Sequence, residues 1–157
     1  MDFLEQLLYQ MGFFGPFILI GLVIASLVIH KYHNYRKIIM IFILFQILNS
    51  LLMELLKNFL KQPRPDNGVA INALDNTQDY DPYGMPSGHA QSVFFSLVFI
   101  ILFFKDIYFN LVAIFEAILT VSQRYVFRKH TFFQLFVGAL LGGMMGYACY
   151  QVVQMQT

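Results

Sequence analysis

Two histidines, His89 and His130, stand where an imidazole could act on phosphorus. His89 follows Pro86-Ser87-Gly88, at the point where a polar loop gives way to an apolar run beginning at Val93. Ser87 is a helix N-cap by type, and a helix start carries unpaired N–H groups and partial positive charge that suit an anion, phosphate above all. In the first turn of that helix, His89 could donate a proton to the group the anion is attached to. The same four residues also occur as plain loop-to-helix junctions, so the stretch needs support from the rest of the chain.

The elements that would position these residues are membrane helices. Of the 157 residues, 58 % are hydrophobic and 12 % charged, against about 45–50 % and about 25 % in soluble domains. The length suits a single domain, residues 1–157. A net charge of +1, with no basic run interleaved with aromatics, argues against nucleic-acid binding. Cys149 is the one cysteine, so no internal disulfide can form. Asp2 and Glu5, with no Lys or Arg in residues 1–12, argue against a secretory signal peptide.

Taken in order, the chain reads as an all-α bundle of about five transmembrane helices. Phe3, Leu4, Leu7, Leu8 and Met11 recur at helical spacing opposite Asp2, Glu5, Gln6 and Gln10, the pattern of a short amphipathic helix lying at the interface. Gly12, Gly15 and Pro16 are expected to end it, and a first span runs from about Phe13 to Ile29. A basic, aromatic turn at residues 30–37 follows, its His30 and His33 read as interfacial. The second span runs from Ile38 to about Leu56, and Pro63 and Pro65 bar regular helix beyond Lys61. Residues 66–82 are a polar loop. Asp75, Thr77 and Asp79 alternate as in a calcium loop, but the turn glycine and closing glutamate are missing, which favours a solvated loop. The third span is Ser87–Phe104, the fourth Ile107 to about Val121, the fifth Thr131 to about Val153. Gly138, Gly142, Gly143 and Gly146 in the fifth would let a neighbouring helix approach closely.

In an up-and-down bundle of this kind, the ends of spans two and four and the starts of three and five share one membrane face. That face collects Lys57, Arg64, Ser87, His89, Arg124 and His130. Lipid headgroups alone select basic helix ends. Two histidines and a Ser-Gly helix start among the cations shift the balance toward a phosphate site with a nucleophile and an acid. Glu54 either orients Lys57 or forms a helix-end ion pair with it. Glu116, inside the fourth span, should face the bundle interior or be protonated. Arg128 and Lys129 read as headgroup anchors.

The spacing Lys57, six residues, Arg64-Pro65; then Pro86-Ser87-Gly88-His89; then Arg124, five residues, His130 resembles the three-part signature of the type 2 phosphatidic acid phosphatase superfamily, over about residues 54–146. The third part of that signature usually has Asp four residues after the histidine, where this chain has Gln134, and Ser before the arginine, where it has Gln123. Residues 83–91 together with His130-Thr131-Phe132-Phe133-Gln134 are similar to the dolichyl-diphosphatase branch, and glucose-6-phosphatases also carry Gln at that place.

The resemblance implies roles. His130 attacks phosphorus and forms a phosphohistidine, while His89 protonates the leaving oxygen and later activates water. Lys57, Arg64, Arg124, the Ser87 hydroxyl and the Gly88 amide hold phosphoryl oxygens. Gln134 accepts a hydrogen bond from the His130 ring as a supporting residue. No metal and no cofactor is called for. The substrate is a lipid phosphate or diphosphate, first a polyprenyl diphosphate, then phosphatidate or a related lipid phosphate, then a sugar phosphate; the bilayer is the other partner, and homo-oligomerisation is open. Lys31, Arg36, Lys37 and Lys105 on the far face against Lys61, Arg128 and Lys129 beside the site lean toward a site on the lumenal or exterior side. The membrane would be the endoplasmic reticulum for a eukaryotic-type protein and otherwise the plasma membrane. A phospholipid-binding protein with weak or no catalysis is the main competing class. A channel built on the fifth helix fits poorly, since the polar residues gather at one face.

Overall fold

The computed structural model describes residues 3–70, 73–75 and 81–156, which form five α-helices and one 3-10 turn. α1 is Phe3–Ile29, α2 Tyr35–Leu60, α3 Gly88–Phe104, α4 Ile107–Val126 and α5 Phe132–Gln156; Ala73–Asp75 is the 3-10 turn. α1, α2 and α5 are long and apolar enough to cross a membrane, and α3 is a shorter apolar helix. α1 and α2, with 27 and 26 residues, rise about 40 Å each, enough for a hydrocarbon core of about 30 Å with some tilt. The outward side of α2, with Met40, Leu44, Ile47, Leu51 and Leu55 exposed, is the surface of a helix solvated by lipid.

The expected break between an interfacial helix and the first span is absent: both belong to continuous α1, with Pro16 inside it. Gly12 and Gly15 do not end the helix. They face α4, where the side chains of Gln123 and Thr120 occupy the space a Cβ would need. Phe3, Leu4, Leu7 and Leu8 remain exposed, as an apolar stripe at a membrane surface should, while Tyr9 on another face is buried. α2 and α4 also run past their expected ends, to Leu60 and Val126. Lys57 and Arg124 therefore sit in the last turns of helices, where the backbone dipole favours cations.

α3 is the central helix, packed by each of the other four. Its Val93, Phe95, Phe99 and Ile100 meet Leu19, Val23 and Leu27 of α1, Phe42 of α2, Ala113 and Ala117 of α4 and Val153 of α5 in one core. The Phe42 ring packs at a tilt against Phe95 and Phe99, with centroids 5.3 and 4.9 Å away. Glu116 is buried, as expected, and its Oε1 has no hydrogen-bond partner among the described residues.

The α3–α5 contact is a backbone contact. Gly138, Gly142 and Gly146 of α5 lie against the carbonyls of Ser87, Gln91 and Phe95, and a Cβ on Gly142 would fall 1.9 Å from the Gln91 oxygen. Gly143 is turned away, its nearest neighbour being a Val98 methyl at 3.6 Å. Gly142→Ala is therefore expected to cost at least about 1–3 kcal/mol through forced separation of the helices, whereas Gly143→Ala should be neutral or slightly stabilising. Thermal unfolding of the two variants in detergent checks the contrast.

Candidate active site

The loop after α2 builds the roof of the site. Pro63 and Pro65 prevent helix, and the chain instead pairs with the segment that precedes α3: Gly84 N–H donates to the Gln62 carbonyl at 2.8 Å and Arg64 N–H to the Pro82 carbonyl at 3.3 Å. Gln134, in the first turn of α5, ties this roof to the bundle. Its Nε2 donates to the Pro63 carbonyl at 2.8 Å and to Gln62 Oε1 at 3.3 Å, its Oε1 accepts from Thr131 N–H at 3.1 Å, and its carbonyl accepts from Ser87 N–H at 3.1 Å.

Below the roof, a cavity of about 270 Å³ is lined by Lys57, Arg64, Gly88, His89, Arg124 and His130, with Asp81, Asn49 and Gln91 beside them. Pro16 and Phe17 of α1 and Met53 of α2 form its apolar wall. Phe17 of α1 and Ser50 and Glu54 of α2 are also exposed on the outer surface, so the cavity reaches the surface between α1 and α2.

His130, 3 % exposed, lies between α4 and α5. Its Nδ1 is 2.9 Å from the Gly84 carbonyl and its Nε2 is 3.0 Å from Arg64 Nη1. A carbonyl only accepts and a guanidinium only donates, so the proton is on Nδ1 and the lone pair on Nε2. Burial pushes this imidazole well below its ordinary pKa, and the nearby Arg64 and Arg124 push it further down. The ring is a neutral base whose Nε2 lone pair faces Arg64 among the cations. Below the ordinary value of 6.5 an unfolded histidine binds a proton that this one refuses, so its contribution makes the fold less stable as pH falls through that region.

His89 uses the other geometry. Its Nε2 is 3.1 Å from the carbonyl of Phe13, which only accepts, so Nε2 carries hydrogen and Nδ1 is left for proton exchange. Pro16, with no N–H, leaves the Gly12 carbonyl one helical bond short next to this point in α1.

Arg124 is held on three sides. Nε donates to Gln123 Oε1 at 2.6 Å and Nη1 to Asp75 Oδ1 at 2.8 Å, and the guanidinium lies 5.3 Å from the centre of the Phe13 ring. Its Nη2 is buried with no partner among the described residues, a donor at the wall of the cavity awaiting an acceptor. Lys57 and Arg64 are both paired with the carboxylate of Asp81, Arg64 at 2.6 Å.

Several expectations change. The His130 ring bonds to the Gly84 carbonyl rather than to Gln134, whose amide is spent on the roof. That explains an amide at this position: a carboxylate could accept from Thr131 but could not donate to Pro63. Ser87 is the N-cap of α3, its Oγ accepting from Ala90 N–H at 3.4 Å, and it does not line the cavity. Lys57 takes Asp81, not Glu54. Lys129 is no headgroup anchor: it is 1 % exposed and donates to the Asp75 carbonyl at 2.8 Å, while Arg128 is exposed. Asp75, fully buried under Arg124, Lys129 and the Tyr9 hydroxyl, is committed to ion pairs and not to a calcium loop; Thr77 and Asp79 lie outside the described residues. Asp75 and Asp81 were legible only as loop acids, since nothing in their spacing names their partners.

Two measurements follow. Nitrogen NMR of the His130 ring should find the neutral Nδ1–H tautomer at pH 6; a doubly protonated ring there would overturn the assignment. Gln134→Glu keeps the shape of the side chain but turns its donor into an acceptor facing the Pro63 carbonyl, and should cost about 1–3 kcal/mol. Unchanged thermal stability would mean that the roof does not depend on that amide.

The PAP2 superfamily model matches residues 38–157. The chain is 30 % identical over 118 residues to the lipid phosphate phosphatase gamma of Arabidopsis thaliana, covering 68 % of this chain and 50 % of the relative. It thus spans about half the length of the curated relative it matches. In fold it is similar to the crystal structure of a transmembrane PAP2 type phosphatidylglycerolphosphate phosphatase from Bacillus subtilis, with a TM-score of 0.72 at 16 % identity over 100 % of this chain and 80 % of that one. Three signature segments brought to one cavity at the end of an all-α membrane bundle, within a match that runs from α2 to α5, place this chain in the PAP2 superfamily.

Proposed function

We propose that this protein is a membrane-embedded lipid phosphatase working through a phosphohistidine. The observation that carries the reading is the His130 ring, with Nδ1–H fixed by a backbone carbonyl and the Nε2 lone pair directed at Arg64 in a cation-lined cavity. A phosphoryl group entering between Arg64 and His130 meets that lone pair. Nε2 forms a bond to phosphorus as the bond to the leaving oxygen breaks, and His89, protonated on both nitrogens for this step, gives its Nδ1 proton to that oxygen. Arg124 Nη2, Lys57 and the amides at the start of α3 spread the charge on the phosphoryl oxygens. Neutral His89 then takes a proton from water, the oxygen attacks phosphorus, and the N–P bond breaks to free phosphate and His130. The cations and amides named here supply the charge stabilisation, so the mechanism uses no metal and no cofactor.

The opening between α1 and α2 favours a substrate anchored in the bilayer over a sugar phosphate. Within that class, the flanks Tyr83-Gly84-Met85 and Ala90-Gln91 and the His-Thr-x-x-Gln segment support a polyprenyl diphosphate of the dolichyl type. The Arabidopsis relative, named for lipid phosphates, favours a phosphatidate-like monoester as the second reading. With Lys129 buried, the exposed cations beside the site are Lys61 and Arg128 against Lys31, Arg36, Lys37 and Lys105 at the opposite end. This supports a site on the lumenal or exterior side of an endoplasmic reticulum or plasma membrane.

Phosphate release in detergent from a polyprenyl diphosphate, phosphatidate and a sugar phosphate tests the reading. Release from the first, with acid-labile phosphate trapped on the protein, is expected. His130→Asn should lose at least about a thousandfold in kcat, as removal of a nucleophile does. No release from any substrate by folded protein would leave only a phospholipid-binding role, and turnover surviving in His130→Asn would remove the nucleophile.

A further inference from the structure

Asp81 stands where a phosphate would. Its carboxylate takes Lys57 Nζ and, at 2.6 Å, Arg64 Nη2, and its backbone carbonyl takes Arg64 Nε at 2.8 Å. The remaining Arg64 nitrogen, Nη1, is shared between the Lys129 carbonyl at 3.2 Å and His130 Nε2 at 3.0 Å. Every Arg64 nitrogen therefore already has a partner, and Lys57 already meets an anion. Arg124 is the exception among the three cations, with Nη2 unpartnered at 1 % exposure. Asp81 itself lines the cavity and is about a quarter exposed, so it can reach water without unfolding anything around it.

A carboxylate and a phosphoryl group present the same chemistry to an ammonium and a guanidinium: paired anionic oxygens accepting charge-assisted hydrogen bonds. Both cannot hold the same donors. Arg124 is committed to a different carboxylate, Asp75, which is fully buried and does not line the cavity, so Asp75 offers no such competition.

We propose that Asp81 is an internal competitor of the phosphoryl group, displaced from Lys57 and Arg64 when substrate binds and returning when phosphate leaves. It is an affinity-setting residue, not a catalytic one, and the inference rests on the phosphatase reading of the same cavity. Arg124 Nη2 then makes the first contact with an incoming phosphoryl oxygen, and exchange at Lys57 and Arg64 follows. The empty site stays charge-matched at those two cations, and free phosphate is expelled by an anion that is part of the chain. Removing the carboxylate should tighten phosphate binding, whereas removing a group that merely positions the cations should weaken it.

The test is the affinity of inorganic phosphate, measured by calorimetry on the full chain in detergent, for wild type, Asp81→Asn and Asp81→Glu. Asp81→Asn should bind phosphate on the order of tenfold more tightly, about the worth of one hydrogen bond to a charged group. Its KM for the lipid phosphate should fall with the Ki of phosphate while kcat falls less than either. Asp81→Glu should return toward wild type. If Asp81→Asn does not fold, Asp81→Ser, which leaves room for water on both cations, is read in the same way. Equal or weaker phosphate binding without the carboxylate overturns the proposal. Wild-type hydrolysis together with that result leaves the phosphatase standing and removes Asp81 as competitor. A gain in affinity in a protein that hydrolyses none of the lipids supports the competitor and removes the phosphatase. No phosphate binding by either protein overturns the competitor, and the release assay then decides the phosphatase separately.

Discussion

Four cations are buried together at one end of this bundle, and the rest of the structure answers to that fact. The side chains of Lys57, Arg64, Arg124 and Lys129 are each at most 7 % exposed. Such charges are costly unless they are paired and hydrogen-bonded. The compensation comes from one loop: Asp75 meets Arg124 and Lys129, and Asp81 meets Lys57 and Arg64. The connection between α2 and α3 is thus an electrostatic component of the fold, and its 3-10 turn is buried at Asp75 for that reason. Within these ion pairs four cations meet two carboxylates, an excess of two positive charges, with the exposed Glu54 also at the cavity wall. A phosphate monoester dianion carries nearly that charge.

The helices were largely legible in the sequence because membrane spans announce themselves by composition, and the bundle's polarity follows from counting crossings. The same counting placed Lys57, Arg64, His89, Arg124 and His130 on one face, and all five line one cavity. Pairings were not legible. Nothing in a polar loop distinguishes a carboxylate that will be desolvated from one that stays in water, so Asp75 and Asp81 read alike with their neighbours. Lys129 beside Arg128 looked like a second headgroup anchor, yet the turn after α4 sends one outward and the other into the interior. Gly12, Gly15 and Pro16 looked like a break because their intrinsic preference is against helix. At Gly12 and Gly15 close packing against α4 leaves no room for a Cβ, and tertiary context prevailed.

α1 illustrates the limits of reading a site from its signature residues. It lies outside the matched segment of residues 38–157, yet it supplies the carbonyl of Phe13 to His89, the Phe13 ring under Arg124 and the Tyr9 hydroxyl on Asp75. These contacts engage backbone, a ring face and a phenol, none of which has a spacing rule in sequence. The helix that completes the site is therefore the one the motifs do not mention.

Both imidazoles are oriented by main-chain oxygens, Gly84 for one and Phe13 for the other. A side-chain orienter is a single point of genetic failure, because any substitution that removes it also releases the ring. A carbonyl is present whatever residue stands there, so long as the chain keeps its path. Responsibility for the tautomers thereby passes from residue identity to the path of the backbone, helical at Phe13 and in a loop at Gly84. Position 134, freed from that duty, serves the roof instead, and changes to the path of helix α1 at residue 13 or of the loop at residue 84 become those to which the chemistry is most exposed.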